Sequence, residues 1–309
     1  MMQALAAYVL RGQWQAISLA ISLALVSWLL LPLSWPASFV SGAVVTLMTL
    51  VKGPRQGSIT AIGAALGMTL LFSLASQLPV QGLAFAAMVW LPALVGGVVL
   101  LRTTSLALSI LAIAGLAVLV IVAIYITAEQ PAAWWFRYFT EVVVPQLKAA
   151  GMNPPDDELF RQQLALAARI MTGMIVAVAY AGALASILIA RSWQAQLFRP
   201  GAYSLEFRQL HFGRMAGLLM VMMILFAIFT RGVFAEIVMN VLPVAVMVFL
   251  LQGLSLIHAK LTGNSNRGMW LGIMYAALIV TMPYLIIFVA TIGLLDSWLK
   301  LPRNSVTSV

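Results

Sequence analysis

From Trp14 to Leu295 the chain is one apolar run after another, interrupted by short polar turns. At least eight windows reach or approach the roughly 17 to 25 residues that a helix needs to cross a bilayer. A soluble core of 309 residues has no room for a chain that is 63% hydrophobic, with 17 Lys and Arg and 8 Asp and Glu. Its mean hydropathy of +1.05 points the same way. The expected fold is all-α: a polytopic transmembrane helical bundle of eight or nine spans, forming one integral membrane domain over residues 1–309.

The expected spans are 14–33, 37–51, 57–77, 80–101, 105–127, 169–190, 215–230, 236–257 and 269–295, the second and seventh being short. Pro32, Pro36, Gly53-Pro54, Pro79, Pro131 and Pro200-Gly201 punctuate their ends. The first run is too long for a signal peptide and reads as a retained helix. The last one, 269–295, contains Pro283, and is long for one crossing and short for two.

Charge sets the expected orientation. With the N-terminus in the cytoplasm, Arg11, Lys52, Arg55, Arg102, Arg191, Arg199, Arg208, Arg214, Lys260 and Arg267 all fall on the cytoplasmic side. The excess of cations is then topology, not a nucleic-acid signal. The loop 128–168 falls outside and carries Glu129, Glu141, Asp156, Asp157 and Glu158, with Trp134-Trp135-Phe136 as an interfacial belt. Within it, 140–150 reads as a short amphipathic stretch, and Asp156 as a cap for the helix that follows. Nine crossings would place Lys300 and Arg303 outside, against the same rule.

The basic loop 191–214 contains a stretch, 197–214, that mixes Phe198, Arg199, Tyr203, Phe207, Arg208, His211, Phe212 and Arg214. It reads either as an interfacial amphipathic helix on anionic lipid or as a docking surface for a protein partner.

Polar groups at membrane depth are costly, so each asks for a reason. Glu236 and Asn240 share one helical face, with Arg231 just before them. Such a trio suits a zwitterionic or hydrogen-bonding solute, or an interfacial salt bridge. Trp134, Trp135 and Tyr138 face the same outer side and belong to the same candidate pocket. Gln252, Ser255 and His258 continue the 236–257 helix toward the cytoplasm, and Asp296 ends the last apolar run, placed to bond free amides or a basic loop. Small residues at Ala16, Ala20 and Ala24 make the first helix smooth, for internal packing or for a second subunit.

With no Cys in the chain, disulfides and thiolate chemistry are excluded. Metallopeptidase, serine-hydrolase and phosphate-loop signatures are absent, so no catalytic residue, metal or cofactor is assigned.

Three stretches, Leu50-Val51-Lys52-Gly53-Pro54-Arg55-Gln56-Gly57, Leu251-Gln252-Gly253-Leu254-Ser255-Leu256-Ile257-His258 and Gly293-Leu294-Leu295-Asp296-Ser297-Trp298, resemble the YybS-like family of bacterial integral membrane proteins. The resemblance runs nearly full length. That family is similar to the S components of energy-coupling-factor transporters, which have six spans. The resemblance implies a bacterial inner-membrane bundle, non-enzymatic, that captures a small solute outside and docks on a membrane coupling subunit through the ridge Ala16, Ala20 and Ala24. A membrane scaffold or assembly factor binding a protein partner through 197–214, with Arg199 and Arg208 as contacts, is the alternative. A lipid-processing or flipping enzyme using Arg208 or Arg231 is a third.

Overall fold

The computed structural model describes residues 2–30, 34–76, 80–155 and 157–303. Of the described residues 87% are helical, and none is in a strand. Pro32, Pro79 and Asp156, read above as boundaries and a cap, lie outside the described residues. Asp157 caps the following helix instead, its carboxylate accepting from Phe160 N–H at 2.7 Å.

Fifteen α-helices are described: α1 (Met2–Arg11), α2 (Gln13–Leu29), α3 (Ser34–Lys52), α4 (Pro54–Ser76), α5 (Val80–Phe85), α6 (Leu91–Thr103), α7 (Leu106–Thr127), α8 (Pro131–Tyr138), α9 (Val144–Ala149), α10 (Glu158–Phe198), α11 (Ala202–Arg208), α12 (Gly213–Phe229), α13 (Val233–Lys260), α14 (Arg267–Val280) and α15 (Tyr284–Leu299). A π-turn, Ala86–Trp90, joins α5 to α6 in a single rod of 24 residues. A second, Phe139–Val143, joins α8 to α9. The stretch 140–150 is therefore the end of one longer helical segment, which stops where Gly151 turns at φ +80°.

At the centre stands α3, packed against α2, α4, α6 and α10. Residues 41–50 are buried on every side of that helix, the expected state for a rod apolar all round at the middle of a bundle. The few polar groups there all find partners, most of them backbone carbonyls, as a solvent without water demands. Trp90 donates its indole N–H to Ser41 at 3.0 Å, and Ser41 donates to Ala20 C=O at 2.8 Å. Thr46 donates to Ala93 C=O at 3.0 Å, and Ser109 to Gly96 C=O at 2.8 Å.

Six helices are long and apolar enough to cross a membrane: α3, α4, the α5–α6 rod, α7, α10 and α13. A seventh is counted if α11 and α12, bent by 51°, form one broken span. The expected eight or nine came from counting apolar runs, and the runs outnumber the sufficiently long helices. α2 has 17 residues. The last run is split by the turn at Thr281 to Pro283 into α14, of 14 residues, and α15, of 16. These reach about 21 and 24 Å at 1.5 Å per residue, short of a hydrocarbon core of roughly 30 Å.

The split also removes the conflict over charge. α14 follows the α13 C-terminus after a short turn, and Tyr275 midway along it shares a hydrogen bond of 2.9 Å with His258 near the end of α13. α15 then returns to that same end, where Arg303 donates to the carbonyls of Arg208 and Leu210. Lys300 and Arg303 therefore join Lys260 and Arg267 at one pole.

The stretch 197–214 is not one surface helix. It comprises the end of α10, the seven-residue α11 and the turn into α12, with Phe207, Leu210 and Phe212 buried. Phe198 and Leu205 remain exposed.

Candidate functional site

The bundle has two chemically different poles. At one, the C-terminal ends of α1, α3, α6, α10, α11, α13 and α15 and the starts of α4, α7, α12 and α14 gather twelve of the chain's 17 basic residues; Glu206 and Asp296 are its acids. Both are committed: Glu206 to Arg191 at 2.7 Å, Asp296 to Arg303 at 2.8 Å. The opposite pole holds the loop acids and Glu236.

At the acidic pole, α7, α8, α10 and α13 converge on Asn240, which has no exposed surface. Its amide donates to the Tyr125 hydroxyl at 2.9 Å, to Arg169 C=O at 2.8 Å and to Glu236 C=O at 2.9 Å. Its oxygen accepts from Gly173 N–H at 2.6 Å. One side chain thus reaches both ends of a single helical step of α10, from Arg169 to Gly173. A β-carbon at residue 173 would overlap the Asn240 backbone, so glycine is what allows the approach. Its hydrogen-bonding capacity filled, Asn240 holds three helices together.

Trp135 donates to Thr172 at 2.9 Å, one residue from Gly173, and packs edge-to-face against Trp134 and Tyr138. Trp134 and Tyr138 stack in parallel at 5.6 Å. The outer aromatic trio and Asn240 are thereby brought to one place on α10. Glu236 lies one helical turn outward of Asn240 and is half-buried; its backbone carbonyl and the Tyr125 hydroxyl both accept from the Asn240 amide. Its carboxylate has no hydrogen-bond or ion-pair partner among the described residues. Arg231 does not join it: that residue is exposed and makes no ion pair among the described residues, Glu236 included. A cavity of about 360 Å³ lies farther out, with Lys148 and Arg161 in its wall, and none of Arg231, Glu236 and Asn240 lines it.

Sequence reasoning missed Tyr125, Thr172 and Gly173. Their roles exist only through contacts across 37 to 115 residues, for which one chain carries no local signal.

At the basic pole, Asp296 is buried completely and makes every contact its position suggested. It accepts from Leu301 N–H at 2.9 Å, from Gln252 at 3.1 Å and from Arg303. Gln252 in turn accepts from Phe212 N–H at 3.0 Å, and His211 reaches Asp296 C=O at 3.3 Å. The stretches around Gln252 and Asp296 form a single centre. Arg208 points inward to Ser204 and to Thr262 at 3.0 Å, whereas Arg199 is exposed and makes no ion pair.

Ala16, Ala20 and Ala24 have no exposed surface. The ridge faces inward, where Ser41 of α3 bonds Ala20 C=O. It is therefore a packing surface within the bundle, unavailable to a second subunit.

Among the described residues no group of His, Asp and Glu is placed to hold a metal ion. No curated protein and no solved structure matches the chain. A family model does, over residues 17–297, from the first apolar run to the Asp296 centre. With its charge-segregated helical bundle and six helices of spanning length, the chain belongs to the family described as predicted membrane protein (DUF2232).

Proposed function

We propose that this protein is a non-enzymatic, transport-type protein of the bacterial inner membrane that receives a small solute at its acidic pole. The basic pole and the N-terminus then face the cytoplasm, as the distribution of Lys and Arg favours.

Glu236 carries the reading. A half-buried carboxylate one turn from the buried Asn240 clamp and without a partner among the described residues is an unfilled acceptor at the outer rim, and ionisable groups in such positions are commonly functional. It suits a solute bearing an ammonium group or several hydrogen-bond donors. Trp134, Trp135 and Tyr138, held on the same stretch of α10 as the Asn240 clamp, supply aromatic surface at this pole, of the kind that recognises organic cations. Arg231, exposed nearby, is left to meet an anionic group on the same solute.

Six helices of spanning length, or seven with the bent pair, are compatible with the six of the S components to which the YybS-like family is distantly similar. Coupling through Ala16, Ala20 and Ala24 is not part of the proposal, since those residues are enclosed.

The test is a thermal-shift screen of the purified protein against aliphatic amines, quaternary ammonium compounds, amino acids and sugars. At a hundred times its Kd a binder adds about 2.7 kcal/mol to stability. An amine-bearing compound should raise the Tm of the wild type and leave that of Glu236→Gln unmoved. A screen without a hit, or equal shifts in both proteins, refutes the site.

A further inference from the structure

We infer that a cleft at the basic pole, far from Glu236 and independent of its role, binds the phosphate headgroup of an anionic lipid. The cleft, of about 250 Å³, opens between the last turns of α3, α6 and α10. Leu100, Leu101 and Phe198 form its apolar wall, and Arg191, Gln194 and Arg199 its polar one.

The two arginines differ in what they have left to offer. Arg191 is neutralised by Glu206 at 2.7 Å and also donates to Gln194 at 2.9 Å. Arg199 is exposed at the mouth and has no acidic partner. Lys52 and Arg102 end two of the three helices that form the cleft, and they too have no ion pair. With Glu206 and Asp296 both engaged, no acidic side chain among the described residues of this pole is left to neutralise them. Their charge is open to an external anion.

Depth and wall choose the anion. The lining residues occupy the final turns of helices long enough to span, so the cleft lies at the level of the headgroups. Its apolar flank offers a place for the first carbons of an acyl chain, and its cation for a phosphate diester. Basic pockets between helix ends on the cytoplasmic side are suited to such headgroups. A bulk anion would gain nothing from Leu100, Leu101 and Phe198.

The experiment is native mass spectrometry of the delipidated full-length protein, titrated separately with phosphatidylglycerol, phosphatidylcholine and inorganic phosphate. One phosphatidylglycerol should bind at least tenfold more tightly than phosphatidylcholine. Arg199→Gln, which removes an exposed side chain, should weaken that binding at least fivefold, as should Leu101→Trp, which fills the cleft. Arg231→Gln at the other pole should leave it unchanged. Equal affinity for the two lipids, or retention of phosphatidylglycerol by Arg199→Gln, would overturn the proposal. So would saturation by inorganic phosphate that blocks the lipid, since the site would then be one for free anions.

Discussion

Asn240 shows how a polar residue at membrane depth can be recognised in a sequence while its partners stay hidden. Its cost in an apolar span marks it, but its partners Tyr125, Gly173 and the Arg169 carbonyl leave no trace at that position. Because all its bonds lie inside the bundle, it is a clamp, and the proposed solute contact rests on Glu236. Asn240→Ala leaves Gly173 N–H and the Tyr125 hydroxyl without their amide partner. It should cost about 1–3 kcal/mol, read as a lower Tm in detergent. Asp296 was legible in kind, an acid beside a helix end and a basic loop, though not in its distant partners Gln252 and His211. With Asp296 at 1% and Arg303 at 21% side-chain exposure, Asp296→Asn should cost about 1.5–3 kcal/mol. The double change Asp296→Asn with Arg303→Gln should cost less than the sum of the two single changes, since the two side chains are in contact. Additive losses would show that the pair does not act as a unit.

Among the elements, α14 and α15 were the hardest to read. A 27-residue apolar run containing Pro283 fits neither one crossing nor two, and hydropathy alone has no further information to give. The pattern of charge did: Lys300 and Arg303 favour the side of Lys260, and the hairpin puts them there. The absence of cysteine makes this simple to test by labelling with a membrane-impermeant maleimide. Ser265→Cys and Pro302→Cys should label from one face and Glu129→Cys from the other. Labelling of Pro302→Cys together with Glu129→Cys would mean that α14 and α15 cross. The contact of α15 with α13 rests on Gly253 and Gly293, each facing the other helix's backbone so closely that a β-carbon would overlap it. Gly293→Val should therefore destabilise by about 1–3 kcal/mol through overpacking, and should loosen the Asp296 centre with it. Trypsin cleavage after Arg303 would report that loosening.

For the molecule as a whole, the helical class and the segregation of charge were readable because apolar length and the distribution of Lys and Arg act along the chain. The inward turn of Ala16, Ala20 and Ala24 was not, since small residues at a spacing of four suit an internal neighbour and an external one equally. Six helices of spanning length, a basic pole whose acids are both occupied and an acidic pole with a free carboxylate make an asymmetric body. That asymmetry suits capture on one side and anchorage on the other. The most direct test of the capture claim is native mass spectrometry of wild type and Glu236→Gln, extracted gently from the same membrane and compared for co-purifying small molecules. The account predicts a bound metabolite with an amine or several donor groups on the wild type, lost from Glu236→Gln while the fold and bound lipid persist. A stoichiometric protein partner with no metabolite, or a metabolite retained by Glu236→Gln, would contradict it.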